Sequence, residues 1–337
     1  MAILVTGSAG FIGFHLAKRL LDRGDEVVGV DNLNAYYDVR LKEARLAILE
    51  ATPGYRHARL DLADREGMAA VFAETKPTEV VNLAAQAGVR YSLENPHAYA
   101  DANLTGFLNV LEGCRSVQPK HLVYASTSSA YGANGKLPFD VHDHAVHPIT
   151  LYAATKIANE AMAHAYAHLF GIPSTGFRFF TVYGPWGRPD MSPFRFIEAI
   201  LEERPLPVYG QGKMQRDFTY VDDIVDGLVA AVDRPAEVNP AWDPKAPDPA
   251  TSGVAAWRVL NIGASQPVDL MRYIQVFEEK LGRKAKLDLM PMQPGDVTNT
   301  SADVSETTAA LGYRPKTSIE EGVGRFVDWY LDFYGRR

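Results

Sequence analysis

Apolar positions in the first half of the chain fall into two alternating periods. Ile3-Leu4-Val5 is an uninterrupted run and reads as a strand buried on both faces. Directly after it, Ile12, Leu16 and Leu20 recur every four residues as one face of a helix, and Gly24 supplies its C-terminal stop. Val27-Val28-Gly29-Val30 is the next strand-like run, and further strands are predicted at 56–60, 79–83, 121–125 and 175–180. Helical periodicity separates most of them, notably over 98–115 and over Leu151–Phe170. This alternation predicts an α/β fold with a doubly wound parallel sheet and helices on both faces. In such sheets ligands lie outside the carboxyl ends of the strands.

Beyond Gly184 the pattern loosens into a helix at 193–203, a short strand at 206–209 and a helix over Val221–Asp233. Pro235, Pro240, Pro244, Pro247 and Pro249 then crowd a stretch that also carries Asp243 and Asp248, which reads as a solvated excursion. Order resumes at 259–262, in a helix at 269–281 stopped by Gly282, and in a last helix at 319–334. A length of 337 residues suits about two domains. We expect a dinucleotide-binding domain at 1–180, with returning segments near 217–233 and 257–264, and a smaller mixed α/β substrate domain at 181–216 plus 265–337.

Charge narrows the partners. Lys and Arg number 34 against 41 Asp and Glu, a net charge of −7, which argues against nucleic acid or an anionic membrane as partner. The single cysteine, Cys114, permits no internal disulfide and fits a reducing compartment. No apolar stretch approaches the ~18 residues of a membrane helix, and no basic segment precedes Ile3. The expectation is a cytoplasmic protein.

Thr6-Gly7-Ser8-Ala9-Gly10-Phe11-Ile12-Gly13 joins the first strand to the first helix with glycines spaced G-x-x-G-x-x-G. Gly7 allows a tight turn, Gly10 lets backbone approach a diphosphate, Gly13 allows close helix packing, and the N–H groups of Phe11 and Ile12 open the helix toward an anion. Asp31, eighteen residues past Gly13 at the end of the second strand, is placed to accept both ribose hydroxyls of NAD and to repel the extra phosphate of NADP, with Asn32 assisting. Asp61 and Leu62 close the third strand, where adenine would lie. Leu83-Ala84-Ala85 closes the fourth, where small side chains leave room for the cofactor.

Tyr152 and Lys156 stand four apart at the start of a helix and so share a face. A phenol with a pKa near ~10 becomes a useful base only if positive charge stabilises the phenolate, and the Lys156 ammonium together with the positive nicotinamide ring of NAD is expected to supply it. Ser126-Thr127-Ser128-Ser129 ends the fifth strand with hydroxyls that can bond the same substrate oxygen.

Together these residues resemble the extended short-chain dehydrogenase/reductase superfamily, whose dinucleotide domain is Rossmann-like, over essentially the whole chain. Three segments, 125–132, 178–191 and 216–223, are similar to those of nucleotide-sugar 4-epimerases, and Arg178-Phe179-Phe180-Thr181-Val182-Tyr183-Gly184-Pro185-Trp186-Gly187-Arg188-Pro189-Asp190-Met191 resembles the UDP-glucuronate 4-epimerase branch. The resemblance implies bound NAD and a UDP-sugar substrate. By position it makes Tyr152 the base, Lys156 its partner and Thr127 the catalytic hydroxyl, with Phe179 beside the nicotinamide. Thr127, Ser128, Ser129 and Thr181 are short donors suited to holding a sugar carboxylate, and the resemblance implies that Arg188 guards it or selects acidic sugars and that Arg216 binds the diphosphate. Gln293 and Asp296 fall near the nucleotide, and Arg90 is a further substrate contact. It also implies a homodimer paired through the helices at 98–115 and 151–170. Ile149-Thr150, Ile157 and Gln293 depart from the family pattern.

The same positions separate rivals. Related decarboxylases carry Glu where Ser129 stands, dehydratases carry Asp-Glu after the threonine, and UDP-glucose/galactose 4-epimerases usually carry Asn at the Thr181 position. A non-catalytic NAD-sensing regulator would be expected to lack the Tyr152/Lys156 pair. His142, His144 and His147, with Asp140 and Asp143, match no standard zinc spacing, so no metal is expected.

Overall fold

The computed structural model describes residues 2–293 and 297–336. In chain order its strands are β1 (Ala2–Thr6), β2 (Glu26–Asp31), β3 (Tyr55–Arg59), β4 (Glu79–Asn82), β5 (His121–Thr127), β6 (Ser174–Phe179), β7 (Thr181–Tyr183), β8 (Pro205–Val208), β9 (Gln215–Tyr220), β10 (Trp257–Ile262), β11 (Pro267–Asp269) and β12 (Lys286–Leu289). Seven form one sheet in the order β10-β6-β5-β4-β1-β2-β3, and every pairing within it is parallel. β1 is buried at all five positions, as an uninterrupted apolar run in a doubly covered sheet requires. Strand order reverses between β1 and β4, so their connections diverge to opposite faces and leave a crevice at their carboxyl ends.

The helix Phe11–Arg23 buries Phe14, Leu16, Ala17 and Leu20, and Gly24 ends it in the left-handed conformation at φ 95°. It packs against the helix Val221–Asp233, and their shared core continues through Phe194, Ile197, Tyr273 and Phe326. Two small sheets, β11-β9-β7 and β12-β8, complete the described strands.

The structure departs from the pattern at several places. The strand expected at 175–180 stops at Phe179, and β7 begins at Thr181 in a different sheet. The Phe180 N–H still donates to the Ile262 carbonyl at 3.1 Å, so the chain changes sheets within two residues. The helix at 98–115 is interrupted: Pro96–Tyr99 leads into a wide π turn, Ala100–Thr105, before Gly106–Val117. That turn carries Asn103, whose amide accepts from Gln86 N and donates to Thr155 Oγ1, tying the end of β4 to the helix Leu151–Phe170. Such wide turns recur at functional sites.

The proline-rich excursion is exposed along most of its length. Its far end is anchored where Asp248 accepts from Ala250 N and Thr251 Oγ1. No helix among the described residues is long and apolar enough to cross a membrane.

Candidate active site

One cleft runs along the carboxyl ends of β1, β2, β4 and β5, and the glycine loop forms its floor. Gly7 has φ +72° and donates to the Val30 carbonyl at 2.7 Å, which fixes the turn on β2. A Cβ at Gly13 would lie 2.0 Å from the Gly7 carbonyl oxygen, so only glycine lets the helix seat this close. No side chain caps the helix at Gly10, and the donors of its first turn are left for an anion in the cleft.

Asp31 is 9% exposed. Its Oδ2 accepts from Ala9 N at 3.1 Å and its Oδ1 from Leu33 N at 2.8 Å. Two backbone donors thus hold the carboxylate at the cleft wall. Asn32 is turned to Asp61, donating from Nδ2 to Oδ2 at 2.7 Å. Phe11, Ile12, Leu62, Leu83, Ala84 and Ala85 line the same cleft. Thr6 Oγ1 accepts from Ala84 N and donates to Asn82 Oδ1, which holds the end of β4 in place.

At the other end, Thr150 caps the helix Leu151–Phe170 by accepting from Ala153 N at 3.2 Å. Tyr152 and Lys156 then project from its first turns into the cleft beside Thr127, Ser128 and Ser129. Burial pushes the Tyr152 phenol up, while the Thr127 hydroxyl and the Arg188 guanidinium act the other way. The Lys156 ammonium donates to the Ala125 carbonyl at 3.0 Å, and burial takes it down to about 8 against the pull of Glu160. Tyr99 meets Tyr152 edge-to-face at 6.0 Å and fixes its ring. Ser126 is also not aimed at a substrate: its hydroxyl donates to Glu160 Oε1 at 2.5 Å.

Phe179, Thr181 and Arg188 complete the wall. Arg188 is paired to Asp190, Nε to Oδ1 at 3.0 Å and Nη2 to Oδ2 at 2.5 Å, and the Tyr36 hydroxyl donates to the same carboxylate at 3.2 Å. Arg216, Gln293 and Arg90 are not among the residues lining this cleft. Arg216 donates to the carbonyls of Thr298 at 2.8 Å and Val297 at 2.6 Å. Arg90 lies over the Tyr209 ring at 5.1 Å. Gln293 carries a buried Oε1 without a hydrogen-bond partner. Asp296 lies outside the described residues.

The model of the NAD dependent epimerase/dehydratase family matches residues 3–243. The chain belongs to this epimerase family. A probable UDP-glucuronate 4-epimerase of Rhizobium meliloti (strain 1021) is 52% identical over 100% of this chain and 98% of its own. UDP-glucuronate 4-epimerase 4 of Arabidopsis thaliana is 45% identical over 99% of this chain and 76% of its own. Among solved structures, the UDP-glucuronic acid 4-epimerase of Bacillus cereus in complex with UDP-glucuronic acid and NAD superposes with a TM-score of 0.88. It is 31% identical, covering 99% of this chain and 100% of that one.

For this epimerase-family chain, pattern reading missed the polar residues that shape the cleft from behind. Tyr36, Tyr37 and Lys42 line it, and Arg45 is wholly buried next to them. For Lys42 and Arg45 the signal was charge on a helix, Val39–Glu50, whose buried face mixes Leu41 and Leu49 with these two; Tyr36 and Tyr37 precede that helix. The histidine cluster stays outside the cleft. His142 bonds Asp248 Oδ1 at 2.9 Å, and His144 and His147 are exposed.

Proposed function

We propose that this protein is an NAD-dependent UDP-glucuronate 4-epimerase, interconverting UDP-glucuronate and UDP-galacturonate through a transient 4-keto sugar. One observation carries the reading. Tyr152 and Thr127 face a cleft floored by an uncapped glycine loop, and hydroxyls rather than carboxylates stand at 128 and 129. The residues fit the cofactor: Gly13 and Gly7 leave backbone donors where side chains would intrude, and a held carboxylate, Asp31, marks the ribose end. Phe11, Ile12, Asn32, Asp61, Leu62, Leu83, Ala84, Ala85 and Phe179 are assigned to the rest of that seat.

Bound NAD supplies a hydride acceptor that hands the hydride back, and a ring charge that favours phenolate. Tyr152 takes the proton from the sugar 4-hydroxyl and later returns one to the same oxygen. Thr127 bonds that oxygen and holds it against the phenol. Lys156, fixed on Ala125, keeps a cation one helical turn beneath the tyrosine.

Oxidised at carbon 4, glucuronate is a β-keto acid, and its carboxylate is lost when the breaking bond aligns with the carbonyl π system. Ser128, Ser129 and Thr181 are short donors that hold the carboxylate out of that alignment. A glutamate in this place would instead repel the carboxylate. Arg188, neutralised by Asp190, closes the sugar pocket without pulling the carboxylate toward it. We assign Arg216, Gln293, Asp296 and Arg90 to the uridine diphosphate side.

On this reading residues 1–180, with 217–233 and 257–264, hold the dinucleotide, and 181–216 with 265–337 hold the sugar nucleotide. The protein works in the cytoplasm as a homodimer paired through the helices at 98–115 and 151–170. The test is incubation with UDP-glucuronate while product stereochemistry and released carbon dioxide are read together. UDP-galacturonate without carbon dioxide is expected; a UDP-pentose with carbon dioxide overturns the reading.

A further inference from the structure

Behind the glycine loop sits a cluster that the reaction above leaves unused. Arg45 is fully buried, and each acceptor it reaches is neutral. Nη1 donates to the Ala9 carbonyl at 2.9 Å and to the Tyr37 hydroxyl at 2.7 Å. Nη2 donates to the carbonyls of Trp186 at 2.6 Å and Gly187 at 2.9 Å, and Nε is buried with no partner. Lys42, only 5% exposed, lies 4.6 Å over the Tyr37 ring. Two of its N–H bonds go to Asn34, to the carbonyl and to Oδ1, both at 2.8 Å, and again both acceptors are neutral. Two buried cations thus stand side by side with no carboxylate among the described residues bonded to either, which is costly unless an anion arrives.

The position of the cluster says which anion. Lys42 and Tyr37 line the cleft that Gly10, Phe11 and Ile12 also line. Arg45 ties the Tyr37 hydroxyl to the Ala9 carbonyl of the glycine loop, and Lys42 lies over the same tyrosine ring. Asp31, held by Ala9 N, marks the adenosine ribose, and the glycine loop that this cluster braces is where the diphosphate of a dinucleotide lies. Tyr37 accepts from Arg45, so its own proton is left to donate.

We propose that Lys42 and the Tyr37 hydroxyl bind the diphosphate of the dinucleotide, as the side-chain half of a seat whose other half is the glycine-loop backbone. Arg45 is a positioning residue: it strengthens Tyr37 as a donor and joins the glycine loop at Ala9 to the loop bearing Arg188. The proposal rests on the reading of the cleft as an NAD site.

The test uses protein stripped of nucleotide and titrated with NAD, ADP and adenosine by calorimetry. Lys42→Met should weaken NAD and ADP on the order of 10- to 100-fold, the worth of one charged hydrogen bond, and leave adenosine unchanged. Lys42→Arg should restore most of the loss, and Tyr37→Phe should cost NAD and ADP roughly 3- to 10-fold. Raising salt should weaken ADP binding to the parent protein more than to Lys42→Met. Unchanged ADP affinity in Lys42→Met overturns the proposal, as does an equal loss for ADP and adenosine, which would place the lysine on the ribose or in the fold. If the parent protein binds no NAD, the reading of the cleft itself fails, a result separate from either.

Discussion

Replacing Glu160 by Gln tests how the buried electrostatics beneath the active site hold both the fold and the lysine. Glu160 accepts from Arg178 twice, Nε to Oε1 at 3.0 Å and Nη2 to Oε2 at 2.9 Å, and from Ser126 Oγ at 2.5 Å. The two side chains of the pair are 9% and 3% exposed, so water cannot replace the lost charge. Arg178 then remains buried with a neutral amide oxygen and the Tyr131 side chain, its ring 4.7 Å away, in place of a carboxylate. Breaking such a pair from one side costs about 3–5 kcal/mol, read as the unfolding free energy in urea with NAD held saturating. Exchanging both residues for methionine should recover most of that loss, because no orphaned charge remains.

A second readout separates fold from chemistry. Glu160 is the charge that raises Lys156 against the burial that takes it to about 8. Without it the ammonium loses its proton at lower pH, so the alkaline limb of kcat should move down. It should do so in Glu160→Gln and in the double methionine variant alike. A loss under about 1 kcal/mol, or an alkaline limb that stays in place, refutes the reasoning.

Further outcomes follow from single sites. Tyr152→Phe should keep NAD and the far-ultraviolet spectrum while turnover falls by about 10²- to 10⁴-fold; near-normal turnover removes Tyr152 as the base. Gly13→Ala places a Cβ 2.0 Å from the Gly7 carbonyl oxygen, so NAD retained through purification should drop sharply and the melting temperature should fall. Partial burial opposes charge on His142, but Asp248, Asp140 and Glu306 together leave its pKa raised. A group raised in the folded state stabilises it at low pH and loses that effect as pH rises through its folded value. His142→Ala should therefore cost about 0.2–1 kcal/mol at pH 5.5 and nothing at pH 8.5, measured by urea unfolding.

The parts of the site that were legible are those where one residue type does one local job. Gly7 and Gly13 are demanded by backbone geometry, and β1 announces itself as an unbroken apolar run. Tyr152 and Lys156 share a face because a helix puts residues four apart together. What stayed hidden depends on partners far along the chain. Nothing local shows that Lys156 would turn to Ala125, that Ser126 would turn to Glu160, or that Arg216 would brace 297–298. The helix Val39–Glu50 escaped notice for a related reason: half of its buried face is basic, so the apolar periodicity that reveals other helices is broken at Lys42 and Arg45. Likewise the strand through 175–180 is cut after Phe179 by a change of sheet that leaves no mark on hydrophobicity.

The central claim is that one hydride leaves carbon 4 and returns to the opposite face without meeting water. It is tested by incubating the protein with UDP-glucuronate carrying deuterium at carbon 4, in ordinary water, and reading the UDP-galacturonate by nuclear magnetic resonance. Full retention of deuterium at carbon 4 of the product is predicted. Its replacement by solvent hydrogen, or a failure to form UDP-galacturonate at all, would contradict the account.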